Sequence, residues 1–118
     1  MKIKLPDDIQ IFMGCGKTDM RKSIDGLVAI VTNNFKLDPF ESTLFLFCGG
    51  KRDRMKALLW EGDGFLLLYK GLENGAFQWP RTTEDVREIT PQQFRWLIEG
   101  LIIDQKKFIQ KAENKMII

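Results

Sequence analysis

Hydrophobic and polar positions change period several times along the chain, and each change marks an element. Residues 9–13, rich in Ile and Phe and loosely alternating, predict a strand that ends at the turn Gly14-Cys15-Gly16. Met20, Ile24, Leu27, Val28, Val31 and Phe35 then recur at three- and four-residue steps. This spacing predicts a helix running to about Phe35, capped by Thr18 or Asp19, before "KLDPFES" breaks it. The compact apolar run "TLFLFC" from Thr43, bounded by glycines, predicts a buried strand. Gly62-Asp63-Gly64 and Asn74-Gly75 tolerate positive φ and read as hairpin turns, which gives strands at about 55–60, 65–70 and 76–79. Residues 81–89 are polar and read as a loop with room for an extra short strand.

Thr90-Pro91-Gln92-Gln93 is a helix start: a capping hydroxyl, proline in the first turn, and Gln three residues after the cap. Phe94, Leu97, Ile98, Leu101 and Ile102 extend one apolar face behind it. A weaker helical spacing through Ile109, Ala112 and Met116 predicts a helical or frayed tail. The sum is an α+β domain over residues 1–104, followed by a tail over 105–118. It has a small antiparallel meander sheet of four or five strands, with two main helices packed on it.

Composition narrows the function classes. With 118 residues, 44% hydrophobic and 29% charged, the chain matches an ordinary single globular domain. The net charge of +2 is small but unevenly spread. Residues 1–59 carry ten Lys/Arg against seven Asp/Glu, a net of +3, and residues 60–118 carry eight against nine, a net of −1. A polyanion surface is therefore expected in the first half. Two unpaired cysteines, Cys15 and Cys48, and no histidine leave no zinc-type ligand set and no histidine-based triad, so neither a metal nor a cofactor is expected. No apolar run approaches a membrane span, and a reduced cytoplasmic protein is the expectation.

Gly16-Lys17-Thr18 matches the end of a phosphate-binding loop. That loop needs a first glycine five residues before the second, where this chain has Ile11. Without it the backbone N–H groups do not converge on a phosphate, and nucleotide binding is not expected.

Three blocks, "CGKTDMRKSIDGLVAIV", "DPFESTLFLFCGGKRDRMKALLWEGDGFLLLYKGLENGAFQWP" and "ITPQQFRWLIEG", resemble in order and spacing the TnpB or Orf2-like accessory protein encoded beside the transposase in insertion sequences of family sixty-six. The resemblance covers about residues 9–101. Cys48 stands where that family usually has an arginine in its "F-R-G-R-R-G-D-R" block, which removes one cation. The resemblance implies a non-catalytic role in DNA transposition, with the transposase, the element's other accessory protein and DNA as expected partners. An unrelated RNA-guided nuclease family shares the name TnpB, and its activity is not implied.

The candidate contacts are cations and tryptophans. Lys17, Arg21 and Lys22 are read in three ways: neutralised locally by Asp19 and Asp25, gathered at a helix start to hold a nucleic-acid phosphate, or directed at an acidic protein. Lys51, Arg52, Arg54 and Lys56 form either a solvated loop or, beside Arg21, one basic face for phosphates. Trp60 and Trp79 suit core or cross-strand packing, base stacking, or anchorage of a partner, and Trp96, off the apolar stripe, is an interface candidate. The carboxylates Asp19, Asp25, Asp53, Glu61 and Asp63 have capping, pairing and turn duties, so no catalytic set is expected among them.

Overall fold

The computed structural model describes residues 5–105. Its elements are β1 (Gln10–Lys17), α1 (Ile24–Asn33), β2 (Thr43–Cys48), β3 (Arg54–Trp60), β4 (Phe65–Gly71), β5 (Val86–Ile89) and α2 (Pro91–Ile98). The strands form one sheet in the order β4-β3-β2-β1-β5. β2 and β3, β3 and β4, and β1 and β5 pair antiparallel, but β1 and β2 pair parallel. The expected all-antiparallel meander is thus corrected to a mixed sheet. The physical reason is the connection: residues 18–42 contain a helix, and a helical crossover returns the chain to the same end of the sheet before the next strand begins.

Strand β2 is central and buried along its whole length, which is why it reads as an unbroken apolar run. Phe45 and Phe47 on one face, with Leu58 of β3, pack under Leu27 and Val31 of α1. Leu44 and Leu46 on the other face pack with Met55, Ala57, Phe94 and Leu97. The sheet is therefore the middle of three layers.

Two boundaries move. The Gly14-Cys15-Gly16 stretch is strand, not turn: Cys15 N–H donates to the Asp85 carbonyl at 3.0 Å and Thr18 N–H to Cys48 at 2.8 Å. The register shifts between Met13 and Lys17, where the small residues accommodate an irregularity. Gly14 has a further constraint, since a Cβ there would come within 2.9 Å of Phe35 Cζ. Consequently α1 starts after Ser23, and neither Thr18 nor Asp19 caps it. Asp19 instead caps a tight turn, its Oδ1 accepting from Arg21 N–H at 2.9 Å. The Gly16-Lys17-Thr18 tripeptide ends a strand well short of that helix, a second departure from a phosphate loop.

The expected strand at 76–79 is not one, although its alternation is real. Phe77 and Trp79 are buried while Gln78 is exposed. The segment crosses the sheet face, so its polar groups find other partners: Phe77 N–H donates to the Arg52 carbonyl at 2.7 Å and Trp79 Nε1–H to the Gly14 carbonyl at 2.8 Å. The extra short strand in 81–89 is β5. Helix α2 has the expected capping box, with Thr90 Oγ1 accepting from Gln93 N–H at 3.0 Å and Gln93 Oε1 from Thr90 N–H at 2.9 Å. It stops at Ile98, so Leu101 and Ile102 are exposed and Ile103 takes the core position instead. The expected helical tail lies outside the described residues, apart from its first residue.

Replacing Trp79 with Phe retains most of the buried ring but strips the donor from the Gly14 carbonyl. A loss of about 1–2 kcal/mol in stability is expected by urea denaturation.

Candidate nucleic-acid interface

Because β1 and β2 are parallel, their last residues share one end of the sheet with the start of β3 and the finish of β4. Cations from separate stretches of sequence meet there. Lys17 closes β1 opposite Cys48. A Cβ on Gly50 would lie 3.6 Å from Lys17 Cδ, and one on Gly49 would lie 2.9 Å from Met20 Cγ, so the segment 17–22 runs directly over the β2–β3 turn. That turn is closed by Arg52 N–H donating to the Gly49 carbonyl at 3.1 Å, with Arg52 itself at φ 62. Lys17, Arg21, Lys22, Lys51, Arg52 and Arg54 are all exposed.

These cations are not equally free. Asp19 holds Arg21 through both carboxylate oxygens, at 2.8 to 3.2 Å. The Arg21 side-chain bond is the main reason the Asp19 carboxyl lies well below the usual carboxylate range. Local neutralisation therefore does operate at Arg21, although its side chain stays 91% exposed. Arg54 Nη1 donates to the Tyr69 hydroxyl at 3.4 Å, with Asp53 and Glu73 close enough to act on its charge. Lys56 is different. It is only 7% exposed, its Nζ donates to the Lys22 carbonyl at 2.6 Å, and it sits 4.9 Å from the Tyr69 ring centre. It ties β3 to the segment before α1 and offers little charge to a ligand.

The tryptophans do not join the cations. Trp79 is buried, with its indole N–H already committed. Trp60 ends β3 at the far end of the sheet, about 20 Å from Arg54 at the rise of a strand. There it packs with Phe40 and Phe65 at ring distances of 5.1 and 4.9 Å. Trp96 is half-buried on α2, which covers the sheet face opposite α1.

Two cations at the sheet end were not singled out from sequence. Lys70 is exposed opposite Met55. Arg81 returns from a distant segment, and its Nη2 donates to the Gly49 carbonyl at 2.7 Å. Its Nη1 is buried with no hydrogen-bond partner among the described residues. No local spacing signals this position, because Arg81 reaches the turn only through the irregular path of residues 72–80 across the sheet. Beside it lies the Cys48 thiol, which burial pushes up to about 11 against the opposing pull of Arg81 and Arg52. On the α1 side of Lys17 a groove of about 210 Å³ opens, lined by Gly16, Lys17, Thr18, Lys22, Asn34 and Asp85 among others. Among the described residues, no group of three or more Cys, Asp or Glu is placed to hold a metal ion, and no helix is long and apolar enough to cross a membrane.

The fold and the site define a small α+β domain with a mixed sheet and a cation-bearing sheet end. Residues 9–108 match the family described as IS66 Orf2 like protein, and the chain belongs to that family. Two uncharacterized proteins of Sinorhizobium fredii (strain NBRC 101917 / NGR234) are similar to it. One, y4jC, is 31% identical over 93 residues, covering 79% of this chain and 80% of that protein. The other, y4hO, is 31% identical over 94 residues, covering 80% and 82%. No solved structure matches the chain. Family membership gives the protein a transposition-associated accessory role and points away from catalysis.

The state of Cys48 gives a pH prediction. Its folded pKa of about 11 lies above the ordinary 9.0, so between these values the unfolded chain has lost more protons than the folded one. The thiol's contribution to stability is complete below pH 9 and lost as pH rises to about 11. Denaturation midpoints are expected to fall across that window, and to fall less in Cys48→Ala. Native Cys48 should also alkylate far more slowly at pH 8 than the unfolded chain does.

Proposed function

We propose that this chain is a non-catalytic accessory factor of insertion-sequence transposition that holds DNA phosphates on the cationic end of its sheet. One observation carries the reading: Lys17, Arg21 and Lys22 meet Lys51, Arg52 and Arg54 at that end, all exposed. Six cations over a few turns of backbone suit a polyanion whose condensed counterions are released on contact. Long flexible side chains at strand ends and on the adjoining turns position a duplex without reading its bases, so binding is salt-sensitive and weakly sequence-selective.

A second reading, a protein adaptor without nucleic-acid contact, is favoured by a different observation. Phe40 is 57% exposed and sits edge-on to Trp60, with Phe65 beside both. An exposed ring backed by two half-buried ones suits an anchor for the transposase.

A salt titration separates the two. If about five phosphates are neutralised, the log–log slope is about −4.5 and affinity for a random duplex falls several hundred-fold between roughly 50 and 200 mM salt. The Arg21→Ala/Arg54→Ala double variant is expected to flatten the slope by up to about two. Absence of binding at low salt would sink the DNA reading and leave the adaptor.

The Asp19–Arg21 pair yields a prediction of opposite sign. Asp19→Asn releases Arg21 from its carboxylate, and DNA binding measured by anisotropy is expected to tighten, with a slope steeper by up to about one.

A further inference from the structure

The two edges of the sheet differ. Edge strand β5 has four residues, and an ion pair between Arg87 and Asp104 ties it to the segment after α2. Its exposed Glu88 accepts a hydrogen bond from Gln10 of β1. Edge strand β4 has seven residues, FLLLYKG, and nothing among the described residues pairs with its outer side. Phe65, Leu66, Leu67 and Leu68 are only half-buried, and Tyr69 is 55% exposed. A long apolar edge with open backbone groups is a template for another strand.

Two hydrogen bonds fix which groups are open. Glu61 N–H donates to the Gly64 carbonyl at 2.9 Å and Leu72 N–H to the Asp53 carbonyl at 2.8 Å. Bonded and non-bonded pairs alternate along an antiparallel hairpin. In the observed register, Leu66, Leu68 and Lys70 therefore spend their N–H and C=O groups on β3. Phe65, Leu67, Tyr69 and Gly71 direct theirs outward.

We infer that β4 pairs antiparallel with β4 of a second copy of this chain, about a two-fold axis at Leu68, to give one continuous ten-stranded sheet. The outward set 65, 67, 69, 71 is symmetric about residue 68, so a two-fold there brings every open donor and acceptor opposite another. Leu67 then faces Tyr69 of the second copy, and Phe65 faces its Gly71. Charge selects the direction. The turn that opens β4 is acidic, with Glu61 and Asp63, and at its closing end the cations Lys51, Arg52, Arg54 and Lys70 outnumber the carboxylates Asp53 and Glu73. Antiparallel pairing sets each acidic turn toward the other copy's basic end, whereas parallel pairing would set like against like. This inference stands apart from DNA binding. If both hold, the dimer carries two cationic ends pointing in opposite directions.

The test is site-directed crosslinking of the full chain. Residue 68 meets its own copy in a non-bonded pair, where Cα atoms are about 4.5 Å apart, within disulfide reach. Leu68→Cys is expected to form a covalent dimer under mild oxidation. Leu66→Cys and Lys70→Cys should not, since each lies about 13 Å along the strand from its counterpart; the native thiols are buried. Sedimentation of the unmodified chain supplies a second measurement that needs no variant: a dimer is expected. Tyr69→Pro should convert it to a monomer with an unchanged circular dichroism spectrum, because that amide points away from β3. A monomeric native chain, a dimer indifferent to Tyr69→Pro, or crosslinking no stronger at 68 than at 66 overturns the inference.

Discussion

The parallel pairing of β1 with β2 is the constraint on which the cationic end depends. Two strands that run the same way deliver their C-terminal residues to the same place, and here those residues lead into the segments 17–22 and 49–54. Had β2 turned back antiparallel to β1, the two segments would lie at opposite ends, about 20 Å apart for a six-residue strand. The pairing holds because β2 is buried on both faces. Phe45 and Phe47 sit against α1, and Leu44 and Leu46 against the layer under α2. Each such side chain contributes on the order of 1.5–3 kcal/mol of burial free energy. The crossover helix is thus the means by which distant cations become neighbours.

The irregular segment after β4 acts on the same end from the opposite face. Phe77 N–H bonds to Arg52 and Leu72 N–H to Asp53, so the cation-bearing turn is gripped by backbone contacts from beneath. Trp79 fastens this segment to Gly14 of β1, and two residues later Arg81 meets the Gly49 carbonyl. A loop carrying Lys51 and Arg52 would ordinarily be mobile. Here its carbonyls are spoken for at positions 49, 52 and 53, and the side chains project from a fixed base.

Much of this was legible in the residues. The capping box at Thr90 and Gln93 encodes its own geometry within four positions, and β2 and the Gly62 hairpin follow from local composition and turn chemistry. The direction of β1 relative to β2 was less accessible, since short connections dominate the rest of the sheet and suggest antiparallel pairing throughout. The α1 boundary was missed because Met20 shares the helix's apolar spacing while lying in the approach to it, where it packs near Gly49. Phe77 and Trp79 alternate as strand residues do, yet alternation reports only that one side is buried, and a chain crossing a sheet face satisfies it as well as an edge strand. Arg81 and the burial of Lys56 are products of tertiary structure alone. In the sequence Lys56 looks like its neighbours Arg52 and Arg54, and only the pairing of β3 directs it under the Lys22 carbonyl.

The sheet is also polar along its length in a way that bears on the family's role. One end gathers cations on turns; the other exposes Phe40 against Trp60 and Phe65 and carries the acidic turn of Glu61 and Asp63. Strands β3 and β4 run between them, so the two surfaces are held a strand's length apart by backbone hydrogen bonds and not by a flexible linker. Carboxylates at the aromatic end and cations at the other set up a field of opposite sign at the two ends of the sheet. Because the two surfaces are separated along one rigid sheet, covering either one leaves the other open.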